Sequence, residues 1–471
     1  MTSSGYVAVL LAYAGGLVAL GLYLSRRFRS TKDFFVAGRQ LSPGLIFATF
    51  LAANIGAGST VGATGLAFSI GMSAVWWVGC AGLGSLVLAF FVGPRIYRLA
   101  VRHNFLTVGD FLEMRYSRAV RLSLGVTLWL GCLFILAGQL IAIALILNVT
   151  VGLAKPWGCA LGGLVVAAYF SAGGLRTAAW LHVIQITVKI AGFCVAVPWA
   201  LHAVGGLDKL HAMAAPPGYF SPVGYGLRGI LGFIVLLVPN FFISPALIQK
   251  LYGARDESAV RQGVGWQAVV LLFYAVLPAL LGMIARAAFP ALANPELALP
   301  TLLRQLLPWW IGALLLGAVF SAELSAGDAV LFMLSTSLGK DLYKSLLNPL
   351  AREDQLLRVT RWTSVAAGVL GTALAIVLPT VVDALGSFYG LLTVVLMIPL
   401  LAGLYMKSPT AFAALVTMTI SAIVTVAAIL LTKGRGIGIF NPVALGIGAG
   451  AATMGIMVAT KGIFHARHIS S

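Results

Sequence analysis

Charged residues are scarce in this 471-residue chain: Asp, Glu, Lys and Arg make up 9% of it, and only 13 residues are acidic. A water-soluble globule of this length needs a far more polar surface, so a soluble enzyme or binding module is excluded. Cysteine is scarce too. Cys80, Cys132, Cys159 and Cys194 all fall in apolar stretches at unrelated spacings. That excludes a disulfide framework or a thiolate metal site and leaves four packing residues. No glycine-rich loop ending in Gly-Lys-Ser/Thr occurs, which excludes an ATP-driven pump of that type. The paired carboxylates and zinc-ligand spacings of an intramembrane enzyme are missing, and His465 and His468 fall in the tail beyond the last apolar stretch. No charged ring or repeated filter sequence marks a channel.

What is present is hydrophobic. Sixty per cent of the residues are apolar and the mean hydropathy is +1.00. Long apolar stretches recur along the whole chain, and the bilayer is the solvent that accommodates them. They predict about thirteen transmembrane helices, near 6–24, 44–68, 72–94, 123–149, 157–173, 178–201, 229–249, 264–289, 309–337, 360–380, 383–405, 410–432 and 441–460. Nothing is left over for a soluble domain, so residues 1–471 form one all-α polytopic membrane domain. The first stretch lacks the basic start and small-residue cleavage site of a signal peptide. Arg26, Arg27 and Arg29 follow it, so it is expected to stay as a helix.

The net charge of +18 suggests nucleic acid until its distribution is examined. With the N-terminus outside, 23 of the 31 lysines and arginines fall in cytoplasmic segments and seven in external ones, with Lys189 inside a span. The basic clusters lie at Arg26–Arg39, Arg95–Arg121, Lys250–Arg261 and Lys340–Arg361. This is the positive-inside pattern, and it predicts an inner (plasma) membrane protein with the N-terminus outside and the C-terminus cytoplasmic.

Two spans are interrupted. Asn54-Ile55-Gly56-Ala57-Gly58-Ser59 breaks the second, and Pro239-Asn240 followed by Ser244-Pro245 breaks the seventh. Backbone freed from helical hydrogen bonds survives in a bilayer only where it lines a cavity or is buried in protein. Broken helices at matching places in two halves mark the binding site of a secondary transporter. The breaks are five helices apart, and an odd number inverts the second set relative to the first. The expected plan is a 5+5 inverted repeat of the LeuT type: an extra helix at 6–24, a first repeat at 44–201, a second at 229–405, and two further helices at 410–460.

With these features in place, the chain resembles the sodium:solute symporter family over nearly its whole length. The resemblance rests on Ala52-Ala53-Asn54-Ile55-Gly56-Ala57-Gly58 in core helix 1 and on Gly173-Gly174-Leu175-Arg176-Thr177-Ala178-Ala179-Trp180 entering core helix 5. It also rests on Ile248-Gln249-Lys250 ending core helix 6, and on Ser325-Ala326-Gly327-Asp328 through Ser335-Thr336 to Asp341-Leu342-Tyr343-Lys344 in core helix 8. The resemblance implies a Na⁺ site between core helices 1 and 8. Its ligands would be the carbonyls of Ala52, Ile55 and Ala322 and the hydroxyls of two adjacent residues. Those two positions here are Ser325 and Ala326, and an alanine methyl supplies no oxygen to a hard cation. The second sodium site of the family uses an acidic residue on core helix 5, and that position is His182.

Four ionisable residues fall well inside the spans, away from their ends: His182, Lys189, Glu323 and Asp328. Each costs roughly 2.5–3.5 kcal/mol on insertion scales, so each is expected to face a partner or a cavity. His182 and Lys189 share a helical face about 10 Å apart along the axis, as do Ser325 and Asp328 on core helix 8. An ammonium beside the sodium position would replace the ion, and a desolvated lysine can carry a proton. The reading is therefore a symporter that is proton-coupled or sodium-independent through Lys189, with Asp328 and Glu323 as counter-ions and His182 as a proton relay. A static buried ion pair, retained Na⁺ coupling, and a ligand sensor without flux are the alternatives.

The solute is expected at the midplane. The expected lining is Asn54, Gly56, Gly58 and Ser59 on core helix 1, with Trp76 and Trp77 on core helix 2 and Gln139 on core helix 3. Asn240 and Ser244 on core helix 6 and Ser387, Phe388 and Tyr389 on core helix 10 complete it. The family often carries Asp-Gln where Ser244-Pro245 stands, so a sugar or proline-like solute does not carry over. Small polar residues suit a small organic acid or amino acid. The implied partners are that solute and the lipid bilayer, with no nucleic acid, no obligatory protein partner, and no cofactor beyond Na⁺ or H⁺ as coupling ion.

Overall fold

The computed structural model describes residues 3–25, 39–169, 175–213, 215–336, 343, 353–407 and 409–469. Helices account for the architecture, and among the described residues only two isolated bridges, Leu41 with Ala254 and Ile437 with Phe440, are strand-like. In chain order the main helices are α1 (Ser3–Ser25), α2 (Pro43–Asn54), α3 (Ala63–Ile70), α4 (Val75–Val87), α5 (Gly93–His103) and α6 (Arg118–Val151). They continue with α7 (Lys155–Tyr169), α8 (Leu175–Ala203), α9 (Gly226–Leu237), α10 (Asn240–Ile243), α11 (Pro245–Leu251) and α12 (Glu257–Tyr274). The last six are α13 (Val276–Ala288), α14 (Trp309–Thr336), α15 (Glu353–Val377), α16 (Val381–Tyr405), α17 (Ala411–Thr432) and α18 (Pro442–Ile469).

Eight helical stretches are long and apolar enough to cross a membrane, and shorter apolar helices such as Pro43–Asn54 and Trp309–Leu324 add to them. The chain is a multi-pass integral membrane protein. Its centre is α6, which packs against α7, α14, α15 and α16. From Leu136 to Ile146 every side chain on α6 is buried, so no face is left for lipid. Such all-round burial is what a helix hydrophobic on every side requires in protein or bilayer.

Small residues allow the remaining helices to approach closely. A Cβ on Gly84 would lie 2.3 Å from the Val238 carbonyl oxygen, and one on Gly282 would lie 2.2 Å from that of Thr64. Those two glycines set α4 against the α9 end and α13 against α3. Gly71 has φ +70°, and its neighbour Met72 donates its N–H to the Tyr219 carbonyl at 2.8 Å. A side chain there would collide with the same carbonyl, so glycine fixes the loop around Tyr219 on the end of α3.

Both expected breaks are present. α2 stops at Asn54, Ile55 and Gly56 are non-helical, and the helix resumes through a π-helical turn at Gly58–Gly62 before α3. Pro239 has no N–H to give, α10 is a single turn, and Ser244 leaves the helical region at ψ 119° before Pro245 starts α11. Some boundaries extend beyond expectation, as at the end of the third span. The third span ended at residue 94 by hydropathy, yet helix continues through the π turn Leu88–Val92 into α5 as far as His103. Hydropathy marks where a bilayer ends, whereas the helix runs on into water with one apolar face on the protein.

Candidate solute and ion site

At the first break, the freed backbone oxygens are taken by side chains from several helices. Ser59 Oγ donates to the Asn54 carbonyl at 2.7 Å, and Thr60 Oγ1 donates to that of Gly56 at 2.9 Å. Trp77 Nε1 donates to the Gly58 carbonyl at 2.9 Å, and Tyr274 OH to that of Ser59 at 3.4 Å. Gln139 Oε1 accepts the N–H of Ala57 at 3.4 Å. An unpaired backbone group in hydrocarbon costs several kcal/mol, so these contacts are what permit the break.

The Ile55 carbonyl is the exception in kind, because its donor is the ammonium of Lys189. Lys189 is 1% exposed and reaches it from α8, which packs along α2. The carbonyl at a helix C-terminus carries partial negative charge and attracts a cation. The family resemblance gives this same oxygen to sodium. The ammonium holds that oxygen, and Ala326 puts a methyl where the resemblance implies a hydroxyl. Ala52 and Ala326 are half-buried and Ala322 is buried, while the side chains of Ser325 and Asp328 lie outside the described residues.

Glu323 is wholly buried on α14 and faces the same break. Its Oε1 accepts from Thr60 Oγ1 at 3.4 Å, and its Oε2 has no partner. Its charge and that of Lys189 act on each other through the protein, yet among the described residues no direct ion pair joins them. His182 is buried one face-repeat away on α8, with Nδ1 unpartnered and with Lys189 and Lys250 within electrostatic reach. Lys250 Nζ donates at 3.5 Å to the carbonyl of Thr49, one turn before the break.

The second break carries no charge. Asn240 Nδ2 donates to the carbonyls of Leu236 at 2.7 Å and Tyr389 at 2.9 Å, and also to Thr393 Oγ1. The Ser244 carbonyl accepts the N–H of Ile248 at 2.9 Å. Tyr389 meets Trp77 at 6.2 Å and Phe241 at 5.9 Å between ring centroids, so aromatic rings from three elements meet between the breaks. Phe388 is buried against Gly131. Two of the expected lining residues point elsewhere. Trp76 Nε1 donates to the Pro222 carbonyl in the loop between α8 and α9 at 2.8 Å, and the exposed Ser387 bonds back to the Asp383 carbonyl on its own helix.

Thr60, Tyr274 and Thr393 join the site without having been expected. Thr60 adjoins the break and its hydroxyl was a readable signal. Tyr274 and Thr393 sit in apolar runs with no local anomaly, and only packing brings them in.

Glu296 lies in a short turn at Pro295–Leu297. Its carboxylate accepts the N–H groups of Val381 at 2.8 Å and Val382 at 3.1 Å, capping α16. Its backbone lies on Gly65 of α3, where a Cβ would come within 2.8 Å. Burial pushes the carboxyl up to about 7, ahead of the two N–H groups that favour the anion and the small opposing effects of Asp383 and Lys155.

Broken helices buried in a multi-pass bundle, with polar groups from several helices turned onto them, define a membrane transporter rather than an enzyme. The chain belongs to the sodium:solute symporter family, whose model matches residues 34–421. It is 26% identical over 462 residues to the sodium/glucose cotransporter of Vibrio parahaemolyticus, covering 88% of this chain and 83% of that one. It is 27% identical over 443 residues to the sodium/pantothenate symporter of Escherichia coli, covering 88% of each. In fold it is similar to a Na⁺-coupled sialic acid symporter solved substrate-bound and outward-open. That match has TM-score 0.81 and 19% identity, and covers 97% of this chain and 98% of that chain.

Proposed function

We propose that this symporter imports a small polar organic solute by alternating access and that Lys189 stands in for the coupling sodium, making transport proton-coupled or sodium-independent. The observation that carries the proposal is the Lys189 ammonium on the Ile55 carbonyl, at the end of a half-helix where a cation belongs. A fixed ammonium and Na⁺ cannot share one carbonyl without repulsion. Glu323 is the acid that compensates it, and His182, two turns earlier on the same face of α8, serves as proton relay. The thirteen-helix plan, the 5+5 inverted repeat and the N-outside orientation belong to the same proposal, supported by the two breaks and the basic segments.

The solute binds between the breaks, against Asn54, Gly56, Gln139, Trp77, Asn240 and Tyr389. Retained Na⁺ coupling is the second reading, favoured by the names of the relatives, which are sodium symporters. The test is uptake of labelled amino acids, organic acids and sugars by liposomes containing the purified protein. Uptake of one class above protein-free liposomes is expected. Binding of a solute without uptake would replace transport by ligand sensing.

A further inference from the structure

Lys250, in the last turn of α11, is a cation without a counter-charge. The chain just beyond it is tied to the chain before α2. Leu41 donates its N–H to the Gly253 carbonyl at 2.9 Å, and Arg255 donates to that of Leu41 at 3.0 Å. This clamp holds the end of α11 against α2 and brings the Lys250 ammonium to the Thr49 carbonyl. At 3.5 Å the contact is longer than an ordinary N–H···O bond, and the other two ammonium hydrogens have no acceptor among the described residues. No carboxylate among the described residues pairs with Lys250 or acts on its charge.

His182 shares this neighbourhood. The charge of Lys250 acts on it more strongly than that of Lys189 does, so the imidazole sits nearer the Lys250 ammonium. The packing agrees. From the contact of Lys189 with Ile55, His182 is seven residues back on α8 and Thr49 is six back on α2. Those steps are roughly 10 and 9 Å along two helices that lie together. His182 Nδ1 is buried without a partner, and so is the hydroxyl of Thr49 itself. Solvent nevertheless reaches the pair, since Lys250 is partly exposed and His182 is 9% exposed. Ala53, one turn beyond Thr49, is exposed, and Ala246, one turn before Lys250, is partly exposed. This face of the two half-helices is open, and an ion can reach the ammonium along it.

An ammonium, an imidazole and a hydroxyl can all donate, and no acid among the described residues is placed to accept. A cation drawn out of water without a counter-charge is costly, and a charge-assisted bond to an anion offsets that cost. We infer that Lys250 and His182 form a site for a small monovalent anion, a halide or a carboxylate, beside the α2 half of the broken helix. The anion accepts from Lys250 Nζ and from a ring N–H of His182, and it balances the charge that α11 brings against α2. A carboxylate in this site belongs to the solute, an organic acid, and in that form the inference rests on the proposed transport. A halide is a separately bound ion. Neither form depends on the coupling ion.

Thermal unfolding of the purified full-length protein reads the site, because a ligand of the folded state raises the midpoint by mass action. Chloride or acetate replaces the bulkier gluconate, with N-methylglucamine as cation and with pH and ionic strength fixed. A saturable rise is expected. A rise with acetate alone assigns the site to the carboxylate of the solute, and a rise with chloride assigns it to a halide. Lys250→Met should abolish the rise, and Lys250→Arg, which keeps the charge, should keep it. His182→Leu should weaken the apparent affinity at least roughly tenfold, the loss of one charge-assisted bond. Because Lys250→Met also removes a cation without a counter-charge, in gluconate it should unfold no earlier than wild type.

A rise that survives in Lys250→Met would overturn the inference, as would no response to either anion. So would a Lys250→Met variant that unfolds well before wild type in gluconate, since the ammonium would then already have its counter-charge. Solute uptake by a protein that responds to neither anion would sink this inference and leave the transport reading standing. Anion binding without uptake of any solute would do the reverse.

Discussion

The two helix breaks look alike in sequence, each a cluster of small, polar or imino residues inside an apolar run, yet they are stabilised in different ways. At the second, one neutral side chain, Asn240, ties the break to α9 through Leu236 and to α16 through Tyr389 and Thr393. At the first, hydroxyls, an indole, an amide and an ammonium converge from separate helices, with a buried carboxylate beside them. A neutral clamp answers only to geometry. A charged one answers to protons, to cations and to charged solutes, so the proposed energy coupling is assigned to the first break and mechanical anchorage to the second.

Removing the charge at the first break is the severest way to test that contrast. Lys189→Met strands Glu323 as an uncompensated buried charge and leaves the Ile55 carbonyl without a donor. A loss of about 3–5 kcal/mol and abolished uptake are expected, checked by denaturation in detergent and by flux. The double variant Lys189→Met with Glu323→Leu should recover much of the stability and none of the ion or pH dependence.

Glu296 spans the frames of both breaks, resting on α3 and capping α16. Its carboxyl is raised to about 7 by burial. Below the ordinary carboxylate range it is protonated in both folded and unfolded chains and contributes no pH dependence. As pH rises from there to about 7, the unfolded chain releases a proton that the folded one keeps. Stability therefore falls across that window, by an amount on the order of 3 kcal/mol, and is level above it. Glu296→Gln should remove the slope, and unfolding midpoints measured between pH 5 and 8 would show it.

Asn240→Ala removes the two N–H donors that the three acceptors of the neutral clamp share and should cost about 2 kcal/mol. Uptake should slow while its ion and pH dependence stay as in wild type; altered coupling in this variant would erase the distinction between the breaks. Ser59→Ala takes one hydroxyl from the first break and should cost only about 0.6 kcal/mol, the average for such bonds in membranes. Thermal unfolding resolves the two.

Much of this was legible in the chain before folding. Gly, Pro and Asn inside apolar runs announced both breaks, because membrane backbone cannot stop being helical without such residues. Lys189 was conspicuous as the lone lysine in a span. Its hydrogen-bond partner was not, since sequence suggests acids for a buried lysine and cannot show which carbonyl a bend will release. The hidden parts are those decided by packing. Tyr274 and Thr393 look like ordinary core residues, and Glu296 looks like a loop acid until the turn is pressed onto Gly65. The overrun of α5 beyond Arg95 was hidden for another reason: its polar face reads as loop to a hydropathy average.

The most direct test of Lys189 as the substitute for sodium is uptake into liposomes of whichever solute class the protein carries, under an inward Na⁺ gradient or an inward proton gradient imposed separately. The account predicts that the Na⁺ gradient changes nothing, whereas the proton gradient either drives accumulation or leaves simple equilibration. Strict dependence on Na⁺ with no response to pH would contradict it.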